Sequence, residues 1–420
     1  MTTLTLEECM SAIIDYRGKT PRKTAAGVPL ITAKVVKGGR IETPDEFIDA
    51  SEYDEWMRRG LPQVGDVVIT TEAPLGEVAQ LSESRIALAQ RLILLRGKPG
   101  LLDNTYLKYL LMSDELQKQL VSRASGTTVV GIKQSELRRV TLSLPPIDEQ
   151  QATAAVLGAL DGKIEQNRRT GRALEGLAQA QFKAWFVDFE PVKAKAAGAA
   201  SFPGIPAETF AALPDYFVDS PIGPVPQGWA VRSLSKVATF LNGLALQKYP
   251  PVGDGSDLPV IKIAELRKGA TDGAGLANAS VPNAYVVEDG DLLFSWSGTL
   301  EAALWYGGRG ALNQHLFKVT SDTYPCWLCL HWIRQHLPEF RLIASSKATT
   351  MGHIKRSHLD NAQVIVPDDS FVQAANDAIG PLYDLHANLA LETRKLAALR
   401  DYLLPRLLSG AVRVKSKGAS

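Results

Sequence analysis

The sequence predicts an α+β protein in which a mixed module followed by a long helix occurs twice. Three observations lead to this fold class. The segment GIKQSELRRVTLSLPP (Gly131 to Pro146) aligns with HIKRSHLDNAQVIVPD (His353 to Asp368) at a constant offset of 222 residues. In each copy, short apolar runs are separated by Gly, Pro and Asp, a pattern typical of strands and turns. Each copy then precedes a long segment whose apolar residues recur at three- and four-residue steps, which is typical of an amphipathic helix.

The repeat extends beyond the aligned segments. VGDVVIT (Val64 to Thr70) resembles DGDLLFS (Asp289 to Ser295), and LAQR (Leu88 to Arg91) resembles LNQH (Leu312 to His315). Matches at offset 222 also continue into the helices, at Gly158/Gly380, Leu160/Leu382, Leu174/Leu396 and Leu177/Leu399. Chance explains any one of these matches but not the whole series in the same order. The chain is therefore interpreted as a tandem duplication.

The duplication predicts the following organisation. Residues 1–146 and 223–367 form the two mixed modules, and residues 147–190 and 368–412 form the two long helices. A linker occupies residues 191–222, and residues 413–420 form a disordered tail. The wider segment from Asp188 to Trp229 contains seven prolines. It is expected to run as an extended chain over the surface.

Composition restricts the class of protein. The chain has 420 residues, of which 45% are hydrophobic and 22% charged, as in ordinary globular proteins. Its net charge of +1 gives no polybasic signal for nucleic acid or membrane, although binding depends on how charge is distributed. The N-terminus lacks the layout of a signal peptide, and no apolar run is long enough to span a membrane. Three cysteines cannot form a disulfide framework, so a cytoplasmic protein is expected.

The first long helix is predicted to begin just after Pro145 and Pro146. Asp148 is the expected N-cap, with Gln151 at the third helical position. No proline intervenes from Glu149 to about Phe186. A helix of that length spans roughly 55 Å.

The two long helices are predicted to pack as an antiparallel coiled coil, because each carries one apolar stripe. Asn167 lies on the first stripe, where it would help to fix register, and Glu392 interrupts the second. Four glycines each lower the intrinsic stability of the first helix by up to about 1 kcal/mol, so it relies on a partner helix. The predicted seam residues are Leu157, Leu160, Ile164, Asn167, Leu174, Leu177, Leu382, Leu385, Leu389, Leu396, Leu399 and Leu403.

No catalytic or metal constellation is evident. Leu144 to Ile147 contain a Pro-Pro pair but lack the Asn or Asp and the aromatic residue with which amino-methyltransferases hold a flipped base. No glycine-rich nucleotide loop is present. Cys326, Cys329 and the two nearby histidines crowd into about three helical turns, so a core helix is favoured over a zinc or thiol site. Asp66 and Asp291 are interpreted as turn formers.

Basic and small polar residues in loops are the candidates for DNA contact, although an ordinary solvated surface is the alternative for each of them. Arginine and lysine suit phosphate oxygens and guanine edges. The segments SGTTVVGIK and SKATTMGHIK keep two threonines and a lysine in both modules, which turn chemistry alone would also explain. The candidate DNA-binding residues are Arg17, Lys19, Arg22, Lys23, Lys34, Lys37, Arg40, Thr127, Thr128, Lys133, Lys248, Lys262, Arg267, Lys268, Thr349, Thr350 and Lys355.

Three further segments resemble a known family. The stretch LPPIDEQQATAAVLGALDGKIEQNRRTGRALEGLAQAQFKAWFVDFEPV, from Leu144, is similar to the central helical region of specificity (S) subunits of type I restriction–modification systems. PVPQGW (Pro224 to Trp229) looks like the start of their second target-recognition domain, and LAALRDYLLPRLLSG (Leu396 to Gly410) like their C-terminal helix. The resemblance covers essentially the whole chain. Its helical motifs are specific, whereas the modules vary in this family. The second copy departs from the Pro-Pro pattern with Pro367-Asp368.

The resemblance implies a non-catalytic DNA-recognition subunit. Two target-recognition domains would each read one half of a bipartite, gapped DNA site, with the helices setting the gap. Two methyltransferase subunits would bring S-adenosylmethionine, and restriction subunits would add ATP- and Mg-dependent chemistry. The aromatic helix end, Phe182, Trp185 and Phe186, would be a candidate contact with those partners, with ordinary packing as the alternative. The alternative function is a helix-linked scaffold of protein-binding modules without DNA specificity.

Overall fold

The computed structural model describes residues 2–16, 20–126, 128–346 and 352–414. The chain divides into two compact units. The first unit comprises residues 1–164 and 396–420, and the second comprises residues 165–395. Each long helix therefore contributes to both units.

The first unit is built on a four-stranded antiparallel sheet. Its strands, in spatial order, are Met10–Asp15, Leu92–Gly97, Val67–Thr71 and Leu75–Gln80. The central strands are buried on both faces because successive side chains point to opposite sides. Val67 and Ile69 enter one hydrophobic core, whereas Val68 enters another. This explains why their sequence reads as continuous apolar runs.

Smaller sheets and short helices complete the first unit. A second four-stranded sheet contains Ala87–Leu88, Val28–Ile31, Phe47–Ile48 and Lys23–Thr24, and its first two strands are parallel. Two-stranded pairs join Thr2–Thr5 to Thr141–Leu144 and Val36–Lys37 to Arg40–Ile41. The helices of this module are Leu6–Cys9, Tyr53–Trp56, Asn104–Met112, Asp114–Ser122 and Gln134–Arg138.

The second unit repeats the strand order of the main sheet, as the sequence duplication predicts. Its main antiparallel sheet contains Thr239–Asn242, Leu316–Thr320, Leu292–Ser295 and Ala302–Leu304 in spatial order. A second sheet contains Leu276–Ala277, Leu258–Ile261, Gly310–Leu312 and Val286–Val287. Two-stranded pairs join Ala230–Ser233 to Gln363–Val366 and Phe217–Val218 to Val225–Pro226. The shorter helices are Glu190–Ala196, Ala207–Ala212, Leu234–Val237, Ile263–Lys268, Cys326–Ser346 and Arg356–Asn361.

In both main sheets the aspartate that precedes a central strand forms an ion pair with a basic residue of the neighbouring strand. Asp66 accepts hydrogen bonds of 2.7 Å from Nε and Nη2 of Arg96. In the second unit, Asp291 lies 2.7 Å from Nζ of Lys318. Each aspartate also accepts a backbone N–H in its own turn, which agrees with its interpretation as a turn former. The duplication is thus visible in side-chain contacts as well as in topology.

The long helices span Ile147–Phe182 and Asp369–Leu408, and the first continues as a π-helical turn over Lys183–Val187. The expectation that Asp148 is the N-cap is wrong. The helix begins directly after Pro146, whose carbonyl accepts the backbone N–H groups of Glu149 and Gln150. Asp148 therefore lies inside the first turn.

Within the first unit the two helices run antiparallel. Leu157 is fully buried in a cluster with Tyr109 and Leu407. Further up the first helix, Asp161 accepts a 2.9 Å hydrogen bond from Nη1 of Arg400. Leu160, Leu396 and Leu403 are partly buried, and Ile164 is buried. The seam here therefore combines leucines with a buried charge.

Within the second unit the helices also run antiparallel, but small and polar residues replace leucines on the inner face. Asn167 is buried and contacts Glu392, and Gly171 lies against His386. Ala178 is fully buried. The predicted seam residues Leu174, Leu382 and Leu389 are partly buried.

The predicted seam is wrong at three leucines. Leu177, Leu385 and Leu399 are 53%, 46% and 45% exposed. Leu177 lies six residues beyond the inward-facing Gly171, which places it about 120° away around the helix. Leu385 has the same relation to the buried Ile379. These three leucines therefore lie on outer faces of the helices within their units.

The chain between the first helix and the second module is not the extended surface linker that its prolines predicted. Phe189, Val192, Ile205, Phe210 and Leu213 are buried in the core of the second unit. The apolar residues between the prolines outweigh the preference of proline for extended chain, because each buried side chain contributes about 1.5–3 kcal/mol. Two short helices form in this segment as a result.

The prediction that Phe182, Trp185 and Phe186 contact partner subunits is also wrong. They are 4%, 2% and 3% exposed and belong to the core of the second unit. Phe186 stacks on Phe182 with ring centroids 5.4 Å apart, and both Trp185 and Phe186 contact the ring of Phe371. The aromatic helix end therefore joins the two long helices to each other.

In the described ranges, no helix is both long and apolar enough for a bilayer span. Of the predicted tail, residues 413 and 414 are described, and residues 415–420 lie outside the described part of the chain.

Candidate nucleic-acid interface

The predicted basic residues of the first module are exposed, and most of them lie beside acidic neighbours. Lys23 lies 2.8 Å from Glu46, and Lys34 lies 2.5 Å from Asp45. Glu42 is 3.3 Å from Lys37 and 3.6 Å from Arg40. Arg22 is exposed at the start of the same region. Exposed pairs of this kind contribute about 0–1 kcal/mol, so they can exchange partners at little cost.

The basic residues of the second module follow the same pattern. Arg267 lies 3.9 Å from Glu301, and Lys268 lies 3.5 Å from Asp272. Lys248, Lys262 and Lys355 are exposed. Lys355 directly precedes the short helix Arg356–Asn361. The described basic residues of the second module thus lie at the surface, and two of them lie beside acidic side chains.

Five candidate residues lie outside the described part of the chain: Arg17, Lys19, Thr127, Thr349 and Thr350. Thr128 and Lys133 are described and exposed. Lys133 lies at the edge of a feature of the first module that has the shape of a binding site.

That feature, the first cleft, is a depression of about 340 Å³ beside the end of the strand Val67–Thr71. Arg91 and Glu72 face each other in it, with Nε of Arg91 3.0 Å from Oε1 of Glu72. Their side chains are 48% and 42% exposed. The lining residues are Thr71, Glu72, Gln90, Arg91, Ser125, Val129, Gly131, Ile132 and Lys133.

The corresponding place in the second unit, called the second cleft for its equivalence to the first, consists of Trp296, Ser297, Gln314, His315 and His353. Ser297 is 3% exposed, and its Oγ lies 2.9 Å from Nδ1 of His315. The indole Nε1 of Trp296 donates to Oδ1 of Asn242 and to the carbonyl of Gln314, at 2.8 and 3.1 Å. The rings of Trp296 and His353 contact edge to face.

The two clefts share one backbone framework. In the first, the N–H of Thr71 donates to the carbonyl of Arg91, and that of Ile132 to the carbonyl of Thr71. In the second, Trp296 donates to His315, and Ile354 donates to Trp296. An isolated antiparallel bridge joins Glu72 to Gly131 in the first cleft, and Ser297 to His353 in the second.

Comparison with known proteins finds similarity to one group of proteins. A model of the type I restriction modification DNA specificity domain matches residues 31–175. The MjaIX specificity subunit of Methanocaldococcus jannaschii, from a type I restriction enzyme, is 26% identical over 365 residues, which cover 84% of this chain and 78% of that protein. The HindI specificity subunit of Haemophilus influenzae is 24% identical over 353 residues, covering 73% of this chain and 77% of that protein.

The solved S subunit of the type I restriction–modification system of M. genitalium has the same fold. It is 14% identical, with a TM-score of 0.52 over 97% of this chain and 95% of that one. This chain is HsdS-like in that it is similar to specificity subunits of type I restriction enzymes over most of its length. The likeness of fold extends over both mixed modules and both long helices, since it covers 97% of the chain.

The clefts of this HsdS-like subunit were missed by sequence reasoning. Glu72, Gln90 and Arg91 are far from Lys133 in sequence and come together only when the sheet forms. One signal was available. LAQR and LNQH occupy the same place in the repeat, and their last residues, Arg91 and His315, differ in size and charge.

The second cysteine of the Cys-x-x-Cys segment packs in the core of the second unit of the HsdS-like subunit, whereas Cys326 is exposed. Cys329 and His331 are 2% exposed, and the His331 ring stacks on Phe182 at 4.8 Å. Burial raises the pKa of the Cys329 thiol to about 12, which disfavours the reactive thiolate. Among the described residues, no group of three or more His, Cys, Asp or Glu is placed to hold a metal ion.

Proposed function

We propose that this HsdS-like subunit reads DNA sequence for a type I restriction–modification complex. Each mixed module reads one half of a bipartite, gapped site. One observation carries the proposal: two duplicated modules present the same cleft framework, lined by different polar side chains. A shared backbone framework with different side chains suits two modules that recognise different DNA sequences. Base edges are distinguished by their hydrogen-bonding patterns, so different polar side chains select different bases.

The basic residues around the modules supply contacts to the DNA backbone. Phosphate contacts position a protein on the duplex but carry little sequence information. Lys34, Lys37 and Arg40 are held by exposed ion pairs, whose exchange for phosphates costs little. The long helices set the spacing between the two DNA half-sites, at about 3.4 Å per base pair.

Catalysis belongs to partner subunits in this proposal. Two methyltransferase subunits bring S-adenosylmethionine and methylate adenine, and restriction subunits use ATP and Mg. The complex acts on DNA in the cytoplasm. Support comes from the names of the relatives, which are specificity subunits of type I restriction enzymes.

The outer faces of the long helices are the surface we assign to methyltransferase docking, in place of the aromatic helix end. Leu177, Leu385 and Leu399 expose apolar area there. A charge at such a position opposes a buried interface but leaves the monomer core intact. Leu385→Glu is therefore expected to weaken co-purification with the methyltransferase subunit at least tenfold, whereas Gln179→Glu, on the exposed face of the first helix, leaves it unchanged.

Adenine-methylation mapping by long-read sequencing tests the function. Cells express this chain with a candidate methyltransferase subunit, and control cells lack only this chain. A gapped two-part motif that disappears in the control is the expected result. Absence of any motif, with the methyltransferase subunit soluble and bound to cofactor, would refute DNA recognition by this chain.

A further inference from the structure

The framework around each cleft is more alike between the two units than the side chains that line it. Ile132 and Ile354 occupy the same position and are 2% and 3% exposed. Leu137 and Leu359, one turn later, are likewise buried. These positions hold the backbone in place and keep the same residue in both copies.

The lining positions differ in charge and size. Glu72 corresponds to Ser297, and Arg91 to His315. A Cβ at Gly131 would lie 3.1 Å from both Cβ of Glu72 and the carbonyl oxygen of Thr71, so the large Glu72 faces a glycine with little space around it. In the second unit the sizes are reversed, since the small Ser297 faces His353. The larger residue of the bridged pair is therefore Glu72 in the first unit and His353 in the second.

The chemistry of the first cleft is suited to a base edge. Arg91 presents a guanidinium whose parallel donors match O6 and N7 of guanine. In the free protein Glu72 contacts Nε of Arg91. The Arg91 side chain is 48% exposed and so remains open to solvent. Val129 and Val130 are 50% and 47% exposed beside it and offer an apolar rim.

A purely structural role does not account for this pair. Arg91 and Glu72 are both more than one third exposed, and such a pair contributes about 0–1 kcal/mol to folding. The backbone hydrogen bonds of the cleft involve Thr71 and Ile132 and do not depend on either side chain. The charged pair is therefore dispensable for the fold.

We infer that the two clefts are the base-reading sites of the subunit and that Arg91 specifies a guanine in the half-site read by the first module. The inference rests on the proposed function. His315 and Ser297 occupy the equivalent place in the second module. The second half-site is read there without a guanidinium.

Methylation mapping with the full-length chain and its methyltransferase subunit tests this inference. Arg91→Ala is expected to relax one guanine position in one half of the motif. Preference for that base falls about tenfold to a hundredfold, the range that a bidentate Arg–guanine contact provides. The other half of the motif stays unchanged, because the second cleft is intact. His315→Gln should alter only that other half.

One control variant and the pattern of methylation separate the possible results. Arg139→Ala removes another exposed arginine of the first module, which pairs with Glu136 at 3.1 Å, and should leave the motif unchanged. If Arg91 contacts only phosphate, Arg91→Ala lowers methylation at all sites while the motif keeps every base, and the inference is overturned. An unchanged motif at unchanged efficiency also overturns it. Failure of the wild-type chain to give any two-part motif would instead refute the proposed function.

Discussion

Asn167 and Glu392 face each other across the helix pair of the second unit, and Nδ2 of Asn167 donates a 2.7 Å hydrogen bond to Oε2 of Glu392. Asn167 is 2% exposed. Each residue interrupts the apolar stripe of its own helix. The two interruptions therefore coincide in one buried polar contact. A contact of this type favours one register, because a shifted register leaves both groups without this partner.

Asn167→Ala is expected to destabilise the second unit by about 1–2 kcal/mol, because it removes a hydrogen bond to a charged group and leaves a small cavity. Urea unfolding followed by tryptophan fluorescence measures the loss. In a double-mutant cycle with Glu392→Ala, the two effects should fall short of additivity by at least about 0.5 kcal/mol. Strictly additive effects would show that the contact contributes nothing. Gln166→Ala, on the exposed face, should change stability by less than about 0.5 kcal/mol.

Asp161 connects three helices of the first unit. Its carboxylate accepts hydrogen bonds from Nζ of Lys108, from the hydroxyl of Tyr109 at 2.7 Å and from Nη1 of Arg400 at 2.9 Å. Lys108 is 6% exposed. Asp161→Asn should therefore cost about 3–5 kcal/mol, because it leaves a buried ammonium without a counter-charge. Adding Lys108→Met should recover part of that loss in the same unfolding experiment.

The matched control for Asp161 is Glu136→Gln, which removes a carboxylate from an exposed ion pair with Arg139. It should change stability by less than about 1 kcal/mol. An equal effect of the two substitutions would mean that burial adds nothing to the Asp161 cluster.

The same carboxylate predicts acid sensitivity. Burial alone would raise the pKa of Asp161, but the charge of Lys108 and the hydrogen bonds from Lys108, Tyr109 and Arg400 outweigh it and hold the pKa below the usual 3.8. A lowered pKa stabilises the fold above the unfolded value, and this contribution is lost as the pH falls below about 4. The stability difference between wild type and Asp161→Asn should thus shrink between pH 5 and pH 3. A difference independent of pH would contradict the assignment.

His331 predicts a second acid-sensitive step at higher pH. Its Nε2 lies 2.8 Å from the hydroxyl of Tyr383. Burial, aided by the charge of Arg334, lowers the pKa of His331 to about 3 from its usual 6.5. The unfolded chain therefore binds a proton that the folded chain excludes, and stability falls below pH 6.5 by up to about 1.4 kcal/mol per pH unit.

Urea unfolding at pH 7 and pH 5 checks this step. His331→Gln should lose less stability between the two pH values than wild type. Tyr383→Phe should retain most of the wild-type slope, because burial is the main cause of the shift. A wild-type slope in His331→Gln would assign the titration to another group.

Much of the architecture could be predicted from the sequence because it depends on local signals. The Pro145–Pro146 boundary and the apolar periodicity placed the first helix from Glu149 to about Phe186, against an observed Ile147–Phe182 with a π-helical continuation. The repeat predicted a second copy of the same module. Both signals act over short segments, where chain geometry alone decides the outcome.

The inner face of the helices and the clefts could not be predicted, because they depend on contacts distant in sequence. A stripe of leucines suggested that Leu177 lies inside, whereas Gly171 and Ala178 face the partner helix. Phe182 is buried only because residues from the second module pack around it. Arg91 lies opposite Glu72 only after two strands pair. The charge pattern of the sequence indicates basic residues in loops and does not distinguish Arg91 from them.

The glycines of the first helix give a matched test of its packing. A Cβ at Gly162 or Gly176 would meet nothing within 4 Å. Gly162→Ala and Gly176→Ala should therefore each stabilise the unit that contains them by up to about 1 kcal/mol, the difference in helix propensity. At Gly171 a Cβ would lie 3.2 Å from Cδ2 of the His386 ring, at a buried position.

Gly171→Ala gains the same helix propensity but must displace the imidazole ring of His386 from the opposite helix. We expect these effects to cancel or to leave a net loss, since overpacking costs about 1–3 kcal/mol. Thermal unfolding should show a rise of about 2–4 °C for each of the two open positions and none for Gly171. Equal stabilisation by all three substitutions would mean that the helices are not in close contact at Gly171.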